Sequence, residues 1–340
     1  MEKQYLSAVY KNIAMDIHVH TPIEFEKILD YTFTNSIQMT RQRISIQQLL
    51  DQQSEESSEE DKKQLIRHLT IYSNQIKTVI TNLKNKKLTS QPRFSWSINN
   101  ETIETPCWLF EAIMPRVVNY KLNLDIGKKM VENEEYVEAN KYFKEALRCV
   151  NECYFLNESW KWKMPHMNHK FISSQWHLAQ IHKVNVLMQL STLSRGQQQG
   201  TSDKTLYVLS QRALHYSALS YMEWKDPHTE ILLKMSDAFR YMYSANILWN
   251  NGQYGSSIYR LQRWLKGQKI ETDIFNNFKE ELEKIPFLLR ERKYVNDSAY
   301  FEPIKPTTEL PNLKSVIHTK NIKHPDTPIL NEDLPQEDVQ

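Results

Sequence analysis

The sequence predicts an all-α protein, a curved, boomerang-like array of helices stacked as hairpins, and three observations carry that prediction. Glycine is scarce, six in 340 residues. Neither proline nor glycine occurs between Pro22 and Pro92. Apolar residues recur at steps of three and four, the period of one helix face. A many-turned β protein needs breakers at short intervals, so long stretches without them point to long helices.

The elements follow in chain order. Ile13 to His20 alternates apolar and other residues (Met15, Ile17, Val19) and reads as a small strand on the bundle, with helix as the competing assignment. From Ile23 to Leu50, Phe25, Ile28, Leu29 and Phe33 share one helix face. The acidic, serine-rich run from Asp51 to Asp61 then interrupts the pattern, which resumes at Leu65, Ile66, Leu69, Tyr72 and Ile76. That is a helical hairpin with a solvated turn. Gln91 to Pro106 reads as a proline-bracketed loop anchored by Phe94 and Trp96.

Trp108 to Tyr154 reads as helix, turn, helix. After Gly127, the residues Tyr136, Ala139, Tyr142, Phe143 and Ala146 carry small and large side chains at tetratricopeptide-like offsets, which let two helices approach closely. A second such unit spans Ile231 to Leu265, with Ala238 and Ala245 on one helix, a turn at Gly252 to Gly255, and Ile258 and Leu261 on the next. Phe171 to Met222 lies between them, helical except for a tip at Ser194 to Asp203. Beyond Pro303 the prolines multiply. The expected organisation is one domain over 1–320 and an extended tail over 321–340.

Composition narrows the function classes. Apolar residues make up 40% and charged residues 25%, a globular balance, and the net charge is +2. Nothing there calls for nucleic acid as the main partner. Three cysteines (Cys107, Cys149, Cys153) argue against a disulfide framework and fit a reducing compartment, and the last two read as core thiols on one helix face. Neither a signal-length apolar run nor a membrane-spanning one is present, so a cytoplasmic protein is expected, with the nucleus as an open second compartment. The ending QEDVQ lacks a prenylation box. His166 and His169, or His177 and His182, have helical pair spacing but no third ligand at diagnostic spacing, and no glycine-rich phosphate loop occurs. No metal, cofactor or catalytic group is expected. Arg41 and Arg43, Lys84, Lys86 and Lys87, and Lys161 and Lys163 beside Trp160 and Trp162 are candidates for weak contact with anionic lipid, against a plainer reading as solvated helix faces.

Four segments, in order, resemble the BRO-one domain family of ALIX- and BROX-type adaptors, BROX more closely. The first is Phe94-Ser-Trp96 followed by Phe110-Glu111 and Asn119. The second is the His177-Leu-Ala-Gln180 helix. The third runs from Leu233-Lys234-Met235 through Ala238, Tyr241 and Ala245 to Tyr254-Gly255, Ile258 and Leu261. The fourth is Asn296-Asp297-Ser-Ala-Tyr300 leading to Pro306 and Leu313. Ala299 replaces the family's isoleucine, His177 takes a more apolar position, and one extra residue precedes Pro306.

The resemblance implies a non-enzymatic adaptor that binds the C-terminal amphipathic helix of ESCRT-III subunits, the charged multivesicular body proteins, in endosomal sorting, scission or repair. It implies peripheral recruitment to endosomal or other membranes. Helix-in-groove recognition needs an exposed apolar strip. The candidates are Val186, Leu187, Leu190, Leu206 and Leu209, with Leu313 and Ile317. Tyr300 is the candidate for regulation by phosphorylation, against a plainer role packing its loop onto the body. The alternative is a helical-repeat scaffold with unrelated partners, which gains if Val186, Leu190 and Leu206 are all buried.

Overall fold

Helices predicted from the breaker-free stretches pack in chain order, each chiefly against its sequence neighbours. In the computed structural model the described residues are 17–19, 23–29, 35–53, 57–82, 92–98, 101–160, 171, 173–267 and 279–306. They belong to one unit that ends at Pro306. The expected domain boundary at 320 lies outside them, as do Phe33 and the expected tail.

Ten helices are described: α1 (Phe25–Ile28), α2 (Ser36–Asp51), α3 (Glu59–Asn82), α4 (Trp108–Glu132), α5 (Tyr136–Trp160), α6 (Ser174–Gln198), α7 (Asp203–Glu223), α8 (Pro227–Asn250), α9 (Tyr254–Gly267) and α10 (Lys279–Val295). A π turn, Asn296–Tyr300, continues α10. Successive pairs from α3 to α10 are in contact, which makes an array in which stability is built from neighbour interfaces.

Three antiparallel strands cover the N-terminal end: β1 (Ile17–Val19), β2 (Phe94–Ile98) and β3 (Glu101–Thr105), in that spatial order. Trp96 stands opposite Val19 on one side and Ile103 on the other. The strand expected around Ile17 is therefore present. The loop expected over Gln91 to Pro106 is instead a hairpin. Its prolines flank the strands and leave the ladder hydrogen bonds intact. The first helical face is also shorter than expected, because α1 ends at Ile28 and Leu29 is extended.

The core at this end is aromatic. Phe25, Tyr72, Phe94 and Trp108 form a chain of tilted and edge-on contacts with centroids 5.1 to 6.5 Å apart. Such geometry aligns positive ring edges with negative ring faces. Phe94 and Trp96 are fully buried, as anchors should be.

The two tetratricopeptide-like pairs, α4/α5 and α8/α9, are present. A Cβ on Gly127 would lie 2.5 Å from the Phe143 ring, so only glycine permits this approach of α4 to α5. The α4/α5 turn passes through Glu134 with φ +67°, and the α8/α9 turn through Gly252 with φ +74°. Tyr254 and Gly255, expected in that turn, already belong to α9. Helix α8 starts at a capping box formed by Asp226 and Thr229, with Pro227 in the first turn. Cys149 and Cys153 are free and buried, and burial pushes the Cys149 thiol up to about 12. They are inert core groups at neutral pH.

Candidate partner-binding surface

The residues that carried the family resemblance meet one another in space. Glu111, on α4, is fully buried and accepts from Trp96 Nε1 at 2.6 Å and from the Tyr72 hydroxyl at 2.5 Å. Arg43, also buried, places Nη1 3.3 Å from Glu111 Oε1 and stacks its guanidinium 5.7 Å from the Trp96 ring centroid. The Nη1 contact is off the angle of a good hydrogen bond, and Nε has no partner. Burial pushes the Glu111 carboxyl up, opposed by Arg43, Tyr72 and Trp96. One carboxylate thus ties α2, α3, β2 and α4 together. Asn119, about two turns further along α4, donates to Thr70 on α3 at 3.1 Å.

The second segment lies at the centre of the array. Gln180 accepts from the Tyr120 hydroxyl at 3.0 Å, and the Ala179 carbonyl accepts from Ser220 at 2.9 Å. His177 is buried with Nε2 2.9 Å from the Phe171 carbonyl, so the neutral ring donates there. Burial lowers its pKa from 6.5 to about 4. The sign of the linkage follows from that depression. As pH falls through 6.5 the unfolded chain takes up a proton that the folded chain refuses until about pH 4, so stability is lost across that window. The integrated loss is about 3 kcal/mol. In urea unfolding between pH 7 and pH 4, the wild type is expected to lose about that much more than His177→Gln. Parallel pH curves for the two proteins would contradict the buried neutral ring.

The third and fourth segments clasp each other. Tyr300 stacks face to face on Tyr254, centroids 3.7 Å apart and planes 9° apart, with Trp249 edge-on to both. The Gly255 amide donates to the Glu302 carboxylate at 2.7 Å, which satisfies an open N–H near the start of α9. Asn296 brackets Glu302 from both sides, donating to its carbonyl and accepting from its amide. Beneath them the buried Arg292 donates to Ser257 and Asn246 and lies 5.1 Å from the Trp249 centroid. Tyr300 packs its segment on the body and still keeps 47% of its surface exposed.

The exposed strip expected from sequence is not where it was placed. Val186, Leu187, Leu190, Leu206 and Leu209 are all buried. The reason is that α6 and α7 are each flanked by a helix on both sides, which leaves each only a narrow face toward solvent. Leu206 reaches across to Gly196, whose Cβ would lie 2.9 Å from it. Leu313 and Ile317 lie outside the described residues. The side of α6 that does reach solvent carries Leu178, Ile181, Asn185 and Met188, all half-buried and spaced as one helix face. His182 borders this row and stacks on Tyr216 of α7 at 6.2 Å. This row was not singled out in the sequence. Its signal was the burial phase of α6, which the sequence leaves open because apolar residues fall on both sides of the helix.

The lipid candidates divide in the same way. Arg43 is buried against Glu111 and faces no membrane, whereas Arg41 is exposed. The lysines at 84, 86, 87, 161 and 163 lie outside the described residues, with His166 and His169. No described helix is long and apolar enough to cross a membrane, and no described group of three His, Cys, Asp or Glu side chains is placed to hold a metal ion.

No protein-family model matches the sequence, and no curated protein matches it either. Solved structures do. An ALIX BRO1 domain in complex with CHMP4C superposes with a TM-score of 0.64 at 13% identity, covering 87% of this chain and 90% of that one. The fold is that of the Bro1 domain. ALIX in complex with a SIVmac239 late-domain peptide gives 0.66 at 13% identity, over 87% of this chain and 46% of the larger ALIX chain. A Bro1 domain solved in a study of endosomal targeting gives 0.54 at 14% identity, over 88% of this chain and 90% of that one. At such identities the shared property is the Bro1 fold itself, a helical array with a small antiparallel sheet.

Proposed function

We propose that the chain is a non-enzymatic adaptor that holds the C-terminal amphipathic helix of an ESCRT-III subunit. The observation that carries this reading is a Bro1 fold along 87% of the chain, shared with a domain solved in complex with CHMP4C. The linked segments around Glu111, Gln180 and Tyr300 support it, because they rebuild the positions that gave the sequence resemblance.

The contact surface assigned here is the half-exposed row Leu178, Ile181 and Met188, with Tyr216 beside it. An amphipathic helix recognises apolar side chains spaced along one such face, and Asn185 within the row supplies a polar group to fix its register. The setting is the cytoplasmic surface of endosomal membranes. Phosphorylation of Tyr300 would put a charged group on a ring stacked against Tyr254 and open the clasp.

A titration of the full chain against C-terminal helical peptides from each ESCRT-III subunit tests the reading. Micromolar binding to at least one peptide is expected. A well-folded protein that binds none would sink it. The second reading, a Bro1-fold scaffold with unrelated partners, is favoured by one observation: Val186, Leu190 and Leu206 are all buried.

A further inference from the structure

The half-exposed row on α6 is the middle of a longer stripe. Ser174 precedes Leu178 by one turn, and Thr192 and Arg195 continue the row beyond Met188, at steps of three or four that keep one helix face. From Ser174 to Arg195 the stripe is about 30 Å long, the span of a partner helix of about twenty residues.

Its two ends differ in charge. At the first end, the Ser174 hydroxyl donates to the Glu158 carboxylate and accepts from Asn157 at 2.8 Å, which sets the last turn of α5 beside the start of the stripe. On the other flank, Ser220 of α7 donates to the Ala179 carbonyl at 2.9 Å. Glu223 follows one turn later on α7, seven residues from Tyr216 and on the same face, and Tyr216 is the ring stacked on His182 beside the row. A carboxylate therefore stands on each flank of the Ser174 end.

At the second end, Thr192 accepts from Asn140 of α5 at 3.5 Å. With Asn157 at Ser174 and Asn140 at Thr192, α5 runs antiparallel to α6. Lys144, one turn after Asn140, is thereby level with Met188. Lys144 and Arg195 are both exposed, and among the described residues neither has an ion-pair partner. Carboxylates on the adjoining turns are engaged elsewhere: Glu138 with Lys141, and Asp203 with Asn246 and Asn250 of α8.

We propose that the helix held on this stripe carries acidic side chains over Lys144 and Arg195, and basic or neutral ones over Glu158 and Glu223. The inference rests on the adaptor reading above and adds the charge pattern of the partner. An apolar row at helical spacing accepts a helix in either direction. Opposite charges at its two ends remove that ambiguity, because the reversed pose sets like charges against each other.

Titration of the full chain with two synthetic helical peptides of identical leucine stripe tests this. One has glutamates at one end and lysines at the other; the second has lysines at both ends. The first is expected to bind about tenfold more tightly at low salt, with the preference shrinking as salt is raised. In Lys144→Glu/Arg195→Glu, at two exposed positions, the preference should reverse with unfolding unchanged. A benzophenone on the glutamate end should cross-link to α6 between Met188 and Arg195. Equal affinities, a preference that survives the double reversal, or cross-links at the Ser174 end would overturn the proposal and leave the apolar row standing. Binding of neither synthetic peptide would overturn it too, and the adaptor reading falls with it only if every ESCRT-III peptide also fails to bind.

Discussion

Replacing Glu111 with alanine is expected to destabilise the protein by about 4 kcal/mol, a large part of the stability of an ordinary domain. The carboxylate is fully buried and serves three partners at once, Trp96, Tyr72 and Arg43. Its removal leaves the Arg43 charge sealed in an apolar core, and also strands the Tyr72 hydroxyl and the Trp96 indole N–H. Losing one member of a buried pair costs more than losing both, because the survivor has neither water nor partner. Arg43→Met in the Glu111→Leu background should therefore recover most of the loss. Urea unfolding of the two variants beside the wild type decides it. A Glu111→Ala protein within about 1 kcal/mol of wild type would show that the network contributes little.

The second large effect is expected at Gly255. A Cβ there would stand 2.1 Å from the Pro303 carbonyl oxygen and 2.8 Å from its carbon, and both are backbone atoms that no rotamer change can move. Gly255→Ala should force residues 301–306 off α9. The Gly255–Glu302 hydrogen bond would be lost and the Tyr254–Tyr300 stack opened. The expected cost is about 2 kcal/mol. A more direct readout is proteolysis near Pro303, which should be many times faster in the variant while α8 and α9 keep their hydrogen-exchange protection. An unchanged cleavage rate would mean that the clasp is not closed in solution.

Much of this was legible in the sequence because the helices obey local rules. The 3.6-residue period and the scarcity of glycine both act within a few residues along the chain. The hairpin from Phe94 to Thr105 was legible too, in retrospect. Phe94, Trp96 and Ile98 alternate, two asparagines follow, and Thr105 ends the return strand before Pro106. The bracketing prolines concealed it by suggesting a loop. Which face of α6 reaches solvent was not legible for a different reason. On α6, apolar residues fall on more than one side of the helix, so the sequence cannot say which ones face α5 and α7 and which face water. Val186 and Leu190 have the spacing of an exposed strip, yet packing buries them and leaves Ile181 and Met188 half-buried at the surface. Arg43 misled in the same way: beside Arg41 it resembled a basic patch, and only the fold brings it to Glu111.

The outward row of α6 is proposed as the surface that grips a partner helix. The measurement that tests it most directly compares the affinity of the wild type with that of Ile181→Asp/Met188→Asp for the tightest-binding ESCRT-III peptide, with unfolding followed in parallel. Placing charge on two anchors should cost at least about 2 kcal/mol of binding, roughly a thirtyfold loss of affinity, and leave stability nearly unchanged because both side chains already reach water. Equal affinity in the two proteins would contradict the assignment and place the partner on another face of the array.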